Sequence, residues 1–211
     1  MYVATIEMES DDDYALVSAP DGRFGEEGFE LDVSPTGVYS TAFTLRTISG
    51  AFEIGGRAVG HEIPIRDLTL PFNLYAMPGQ SIEETISRFR RMWRMGATVK
   101  WLFSTEISGT RWLNLRLAKE IGFSPERDWN IDGFARAVVT AVALQPMYES
   151  EEEHSSWSNP SAGSHTGAVL LSNPTDQKCF LEWSLDPATS WGFPDFSFGQ
   201  EKHWKRPPGA D

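Results

Sequence analysis

Short runs of alternating apolar and polar residues occur along most of the chain and predict a mainly β protein. Residues 2–8 and 14–18 are typical of short strands, and residues 38–50 of a longer strand rich in β-branched and aromatic side chains. Residues 134–144 are apolar almost throughout, which predicts a strand buried on both faces or at an interface. Residues 112–118 alternate leucines with polar residues and predict a half-buried strand.

A change of phase in the alternation predicts a bent strand in residues 61–76. Ile63 and Ile65 occupy odd positions, whereas the next four large apolar residues occupy even positions, namely Leu68, Leu70, Phe72 and Leu74. A one-residue shift turns the side chains to the other face unless a bend or bulge absorbs it. We therefore expect a strand that bends near Asp67 and passes from one sheet to another, with Pro64 and Pro71 at an edge or bulge.

One segment, residues 81–97, has the period of an amphipathic helix. Ser81 and Glu84 have the spacing of a capping box, and Gly96 suits the position after the helix end. Four apolar residues form a single stripe, which predicts a helix that packs one face against the β structure: Ile82, Ile86, Phe89 and Trp93.

The composition changes at residues 149–167, which are acidic at first and then rich in Ser, Gly, Asn and Pro. This change predicts a linker or long loop between two parts of the chain. Three further strands are predicted after it, at residues 168–172, 177–185 and 191–199. The predicted organisation is a β domain at 1–148, a linker at 149–167, and the start of an incomplete second β module at 168–211.

The charge of the chain excludes several classes of partner. The formal net charge is −12 and the pI is near 4.8, so phosphate contacts to DNA or RNA and attraction to anionic membranes are not expected. Cys179 is the single cysteine, which excludes an internal disulfide. No apolar run is long enough to cross a membrane, and residues 1–13 lack the features of a signal peptide, so folding is expected to begin in the cytoplasm.

The sequence contains no recognised catalytic or metal-binding motif. His61-Glu62 lacks the second histidine of a zinc-protease motif, and the histidines have no ligand spacing. The acidic runs 11–13 and 151–153 lack the spacing and glycine of a calcium loop and are typical of solvated loops. We therefore predict no enzyme activity, no catalytic residues, no cofactor and no bound metal.

The end of the predicted helix carries a cluster of arginines that has two interpretations. Cations near a helix C-terminus offset the helix dipole, which is common chemistry. In a chain this acidic, the same cluster is also a candidate subunit interface that pairs with acidic residues of a neighbouring copy. The residues of this cluster are Arg88, Arg90, Arg91 and Arg94.

Tryptophans are frequent in the last third of the chain. Such residues are common in cores and interfaces, and they also form flat platforms for sugar rings. Trp183 and Trp191 are the candidate residues for a sugar platform.

Two short motifs in the C-terminal part carry a resemblance to a known family. Residues 173–177 read Asn-Pro-Thr-Asp-Gln, residues 194–199 read Pro-Asp-Phe-Ser-Phe-Gly, and Trp183 lies between them. Together with the strand-rich part before them, they resemble minor tail proteins of long-tailed phages that infect actinobacteria, in particular the distal tail protein class.

This resemblance implies a tail-tube-like fold, in which a split β-barrel or β-sandwich is flanked by one α-helix and followed by a galectin-like β-sandwich, here incomplete. It also implies a ring of copies, typically six, that joins the tail tube protein to the tail-tip hub protein at the distal end of the virion tail. DNA would pass through the ring without specific binding, and the second domain can hold other tip proteins or contact host surface glycans. The family implies no catalytic residues and no membrane insertion.

Two hypotheses from different classes follow. The first is a homo-oligomeric structural protein of a phage tail tip, and the second is a monomeric carbohydrate-binding β-sandwich protein. A glycosidase is a third and more distant hypothesis, because catalytic carboxylate pairs have no fixed local spacing.

Overall fold

A computed structural model describes residues 4–11, 13–125, 127–172 and 182–192. By its internal contacts the chain divides into two compact units, Met1–Pro174 and Thr175–Asp211. The described part of the first unit is mainly β, which confirms the predicted fold class. Its strands are β1 (Thr5–Ser10), β2 (Asp13–Ser18), β3 (Phe29–Leu31), β4 (Thr44–Ile48), β5 (Arg57–Glu62), β6 (Arg66–Tyr75), β7 (Val99–Thr105), β8 (Gly109–Leu117), β9 (Gly122–Phe123) and β10 (Phe134–Ala143), and its helices are α1 (Ile82–Met92) and α2 (Trp129–Asp132).

Eight of these strands form one antiparallel sheet. Its order is β2-β1-β7-β8-β10-β6-β3, and the short strand β9 also pairs with β10. The two edge strands of the sheet, β2 and β3, lie next to each other. The segment that joins them is bonded to β2, since the Gly25 amide donates to the Leu16 carbonyl at 2.7 Å. The sheet is therefore a nearly closed barrel, and β4 with β5 forms a separate two-stranded sheet.

The core of the barrel comes from alternate positions of its strands. The odd residues of β10 from Ala135 to Ala143 are buried, and so are Leu113 and Leu115 of β8. The half-buried strand predicted at residues 112–118 is confirmed. Strand β10 was predicted to be buried on both faces or at an interface, but within this chain one face is buried and the other exposes Arg136 and Val138. Near-continuous apolar composition cannot by itself show which face has a layer packed on it.

Helix α1 begins with the predicted capping box. The Ser81 hydroxyl accepts from the Glu84 amide at 3.3 Å, and the Glu84 carboxylate accepts from the Ser81 amide at 2.7 Å. The hydrogen bonds from the Ser81 amide and hydroxyl lower the pKa of Glu84. The helix ends at Met92 with Trp93 as its C-cap, so the expectation that Gly96 follows the helix end directly is wrong; Gly96 (φ 83°) lies in the next turn.

The apolar face of α1 covers one side of the barrel. The four stripe residues Ile82, Ile86, Phe89 and Trp93 are all buried. The Phe89 ring stands edge-on to Phe29 of β3 and Phe72 of β6, with both centroid distances at 5.1 Å. Burying each such side chain stabilises the fold by about 1.5–3 kcal/mol. The Thr85 hydroxyl adds a hydrogen bond of 3.1 Å to the Tyr75 carbonyl at the end of β6.

The second helix, α2, is a single turn at Trp129–Asp132. Asp128 caps α2 through its side chain, which accepts from the Asn130 amide at 3.0 Å. Gly133 follows the helix with φ 62°, a conformation that glycine adopts without strain. A single helical turn has too few residues to show a helical period, which is why the pattern of apolar residues did not predict it.

The predicted passage of residues 61–76 between two sheets is confirmed. Strand β5 lies in the two-stranded sheet and β6 in the barrel, and the break falls at residues 63–65 rather than at Asp67. Pro64 lies in this break, as expected. Pro71 was expected at an edge or bulge but lies inside β6. The Pro71 carbonyl accepts from the Asp32 amide, just beyond the end of β3. The N–H and C=O of one strand residue point to the same neighbouring strand, so the N–H that Pro71 lacks would point toward β3. No hydrogen bond between β6 and β10 is therefore lost.

In the last part of the chain, residues 168–172 form no strand, which contradicts the prediction for this segment. Leu170 and Leu171 are exposed there, and a short apolar run makes a strand only where a neighbouring strand completes its hydrogen bonds. The segments 177–185 and 191–199, also predicted as strands, lie partly outside the described residues. No strand occurs within the described residues 182–192.

Candidate interaction surfaces

The two-stranded sheet β4–β5 is the most unusual surface of the protein. It belongs to residues 39–65, here called the arm, which leave the barrel after Val38 and return to it at Arg66. Every residue of β4 and β5 is exposed, so the arm has no core of its own. Isolated two-stranded hairpins are only marginally stable in water. A hairpin of this kind is expected to gain stability from a partner.

The two faces of the arm differ in chemistry. The register pairs Thr44 with Glu62 and Leu45 with His61, and successive residues of a strand point to opposite faces. One face carries the Arg46–Glu62 ion pair. The other carries Leu45 and the Phe43 ring, which stacks on His61 at a centroid distance of 5.6 Å. The apolar face is open to solvent, with Leu45 53% exposed and Phe43 61% exposed.

The tip of the arm is ordered by its own hydrogen bonds and presents two large apolar side chains. The Ser49 hydroxyl donates to the Gly55 carbonyl at 2.6 Å, and the Glu53 carboxylate accepts from the Gly50 amide at 3.1 Å. Phe52 and Ile54 project from this loop, with relative exposures of 103% and 105%. Exposed apolar residues on a hydrogen-bonded loop are typical of contact sites rather than of solvent-facing turns.

The root of the arm is fixed by a buried arginine. Arg66 is 3% exposed, and its guanidinium donates to the carbonyls of Gly37 (2.6 Å), Val38 (2.8 Å) and Pro146 (2.9 Å). Burial lowers the pKa of this guanidinium. The carbonyls come from the chain before the arm and from the chain after β10, so one side chain joins three segments at the point where the arm leaves the barrel.

Gly37 allows the close approach that this junction needs. Its φ is 77°, and a Cβ at this position would lie 2.1 Å from the Asp67 carbonyl oxygen. A larger residue would therefore be strained in its backbone and would collide with the backbone at the start of β6. Together with Arg66, this glycine sets the direction in which the arm leaves the barrel.

The four arginines at the end of α1 lie close to the β1–β2 turn, and three of them have contacts within the chain. Arg88 forms a two-pronged ion pair with Asp13, with nitrogen–oxygen distances of 2.5–3.1 Å, and the bond from Arg88 lowers the pKa of Asp13. Arg94 contacts Asp11 at 3.1 Å, and the Arg90 guanidinium lies 4.8 Å from the centre of the Phe123 ring. The structure thus gives three of the four arginines a role inside one subunit.

Arg91 differs from these three. It is exposed and makes no ion pair with any of the described residues. It lines an open cleft of about 480 Å³ between the end of α1 and the β1–β2 turn, whose other charged residues are Asp11, Asp13, Arg90 and Arg94. Of the candidate interface cluster, Arg91 is therefore the member that has neither an ion pair nor a ring contact among the described residues.

Trp183 and Trp191, the candidate sugar platform, lie in the second unit. Their relative exposures are 38% and 41%, and the Trp191 indole donates to the Asp186 carbonyl at 3.0 Å. Both residues have further contacts. No contact of the two tryptophans tests sugar binding, so the sugar platform stays a prediction. The motif residues 173–177 and 194–199 lie outside the described part.

The described residues contain no group of three or more His, Cys, Asp or Glu side chains that could hold a metal ion. Within the same residues, no helix is long and apolar enough to cross a membrane.

Comparison with known proteins gives a weak structural similarity. No protein-family model and no curated protein matches the sequence. Among solved structures, the chain is similar to the crystal structure of the SPP1 Dit (gp 19.1) protein, described as a paradigm of the hub adsorption apparatus in phages that infect Gram-positive bacteria. The TM-score is 0.45 and the identity 17%, over 69% of this chain and 51% of that one, so the chain spans about half the length of this neighbour. A similarity of this size does not assign the chain to a family.

The arm is the surface that the sequence did not reveal. Residues 38–50 were predicted as a strand, but nothing in their pattern distinguishes a strand of the barrel from one that projects into solvent. The signal that was present is the phase change at Arg66–Asp67. It marks the point where the chain leaves the arm, whose apolar residues are exposed, and enters β6, whose apolar residues are buried.

Proposed function

We propose that this protein is a structural component of a phage tail tip, in which copies of the chain form a ring, with six as the expected number. The ring connects the tail tube to the tip hub and lets DNA pass without binding it. The arm, an amphipathic two-stranded sheet with its apolar face in solvent, is the single observation that carries the self-association part of this proposal.

The arm suits contact with a second copy for two physical reasons. Its apolar face gains free energy when it is removed from water, at about 25 cal/mol per Å² of apolar surface. Its root is held by Arg66, so little conformational freedom of the junction is lost on binding. A projecting element that packs on a different surface of the next copy is a head-to-tail contact, and contacts of this type form a ring when the rotation from copy to copy closes.

The phage tail part of the proposal rests on the sequence resemblance in residues 173–177 and 194–199. The net charge of −12 is compatible with a channel for DNA, because a negative wall repels phosphates and prevents adhesion. The absence of a recognised catalytic motif in the sequence fits a structural role.

A matched pair of substitutions on the arm tests the self-association. Leu45→Lys places a charge on the apolar face, and Thr44→Lys places the same charge on the polar face of the same strand. Sedimentation velocity and negative-stain images are expected to show rings for the wild type and for Thr44→Lys, and monomers for Leu45→Lys. Below the assembly concentration both variants should keep the melting temperature of the wild-type monomer, because both side chains are exposed in the single chain.

A wild-type chain that stays strictly monomeric at high concentration would remove the proposed ring, and so would a Leu45→Lys variant that assembles normally. The position in the virion needs a separate test. An antibody against the barrel should label the distal end of the tail in electron micrographs of the phage that carries this chain, and labelling elsewhere would contradict the tail-tip assignment.

A further inference from the structure

We propose that the cleft beside Arg91 receives the acidic segment Glu151–Glu153 of a second copy of the chain. This inference rests on the proposed self-association and names one contact within it. The cleft and the acidic segment both belong to the first compact unit.

The cleft has a local charge opposite to that of the chain as a whole. Its described charged residues are the three arginines Arg90, Arg91 and Arg94 and the two aspartates Asp11 and Asp13, in a chain whose net charge is −12. Arg88 and Arg94 are engaged by Asp13 and Asp11, which leaves Arg91 exposed at the cleft wall. A carboxylate from outside would therefore meet a guanidinium that forms no ion pair with the described acids.

The acidic segment is open to solvent and starts from a fixed point. Glu149 exchanges two backbone hydrogen bonds of 2.9 Å with Trp112 of β8, and its carboxylate accepts from the Trp112 indole at 3.0 Å. Residues 150–154 after this anchor are all exposed. Among the described residues, Glu151 and Glu153 make no ion pair, and the ion pair of Glu152 is with the exposed His154, at 3.9 Å.

The cleft and the segment lie toward opposite ends of the barrel. The β1–β2 turn sits at the end where β7 begins, because Glu9 pairs with Lys100 and Lys100 pairs with Asn114. The antiparallel bridge from Glu149 to Trp112 directs the following residues the other way, toward the β7–β8 turn at Thr105 and Gly109. This polarity disfavours contact within one copy and suits a head-to-tail contact between copies.

Charge reversal with rescue tests the contact. We compare Arg91→Glu, the triple variant Glu151→Lys/Glu152→Lys/Glu153→Lys, and the combination of all four changes. Sedimentation equilibrium at low salt is expected to show association weakened at least tenfold by each reversal, and restored to within about threefold of wild type in the combination. The effect of each reversal should shrink at 0.5 M NaCl, because exposed charges are screened.

Arg116→Glu is the matched control, since Arg116 is an exposed arginine of β8 with no ion pair among the described residues, and it should leave association unchanged. Melting temperatures establish that each variant is folded. The inference is overturned if the wild type assembles but neither reversal weakens it, or if the combined variant is no better than the single reversals. Those results would not contradict the ring formed through the arm. A monomeric wild type would contradict both the proposed ring and the proposed contact at the cleft.

Discussion

The Arg66 guanidinium lies 5.0 Å from the centre of the Tyr148 ring, and both side chains donate to the same carbonyl, that of Val38. Burial raises the pKa of Tyr148 to about 12, so its hydroxyl keeps the proton that it donates at 3.1 Å. The pair joins the root of the arm to the segment after β10. It is the means by which a hairpin without a core of its own is attached to a rigid barrel.

Replacing this arginine should destabilise the barrel. Arg66→Met keeps much of the side-chain volume but takes the Arg66 donor from the Gly37 and Pro146 carbonyls and leaves the Val38 carbonyl with Tyr148 alone. We therefore expect a loss of about 3 kcal/mol in the free energy of unfolding, measured with urea. Arg57→Met is the control, because Arg57 is an exposed residue of the arm paired with Glu53, and a loss below about 0.5 kcal/mol is expected. Equal losses in the two variants would show that Arg66 is not the junction we describe.

The packing of α1 on the barrel gives a second prediction. Phe89→Ala removes a fully buried ring that contacts Phe29 and Phe72, and it should reduce the free energy of unfolding by about 3–5 kcal/mol. Ser87→Ala, on the exposed face of the same helix, should change it by less than about 0.5 kcal/mol. Urea unfolding followed by tryptophan fluorescence measures both, and a loss below about 1 kcal/mol for Phe89→Ala would contradict the packing described above.

The Asp13–Arg88 pair should give a dependence of stability on pH. Because Arg88 lowers the pKa of Asp13 from its ordinary value of 3.8, the folded state favours the ionised carboxylate. This contribution is fully present above pH 3.8 and is lost as the pH falls through the lower pKa of the folded state. Asp13→Asn should therefore cost about 0.5–1 kcal/mol at pH 7, since the pair is partly solvated, and the difference from wild type should vanish in strong acid.

Urea midpoints measured from pH 7 to pH 2 test this behaviour. Glu106→Gln serves as the control, because Glu106 is an exposed carboxylate of the β7–β8 turn without an ion pair among the described residues. A difference between wild type and Asp13→Asn that stays constant through this pH range would show that the ion pair is not its source.

Hydrogen exchange should separate the arm from the barrel. The amides of β4 and β5 are in an exposed two-stranded sheet, so in the monomer they should exchange within seconds, while those of β6 and β10 are protected for hours. Assembly should slow exchange in the arm by at least tenfold, because its apolar face is then covered. Mass spectrometry of peptides from residues 39–65, taken below and above the assembly concentration, measures the change. Slow exchange of these peptides in the monomer would indicate that the arm is stable without a partner.

Local patterns in the sequence determined much of this protein. The capping box at Ser81 and Glu84, the apolar stripe on α1 and the half-buried strand β8 are each set by residues close together in the chain, so their spacing was sufficient to predict them. The phase change at Arg66–Asp67 likewise predicted a chain that passes between two sheets, because a strand with one buried face tolerates no shift of register.

Only the tertiary structure decided which distant residues contact each of these elements. It placed Asp11 and Asp13 beside arginines more than seventy residues away, and so left Arg91 as the open charge of its cluster. It also showed that residues 38–50 project from the barrel and that β10 has one covered face. Spacing along the chain fixes which side chains share a face. The free energy of burying that face depends on the layer packed against it, and distant parts of the chain, or another copy, supply that layer.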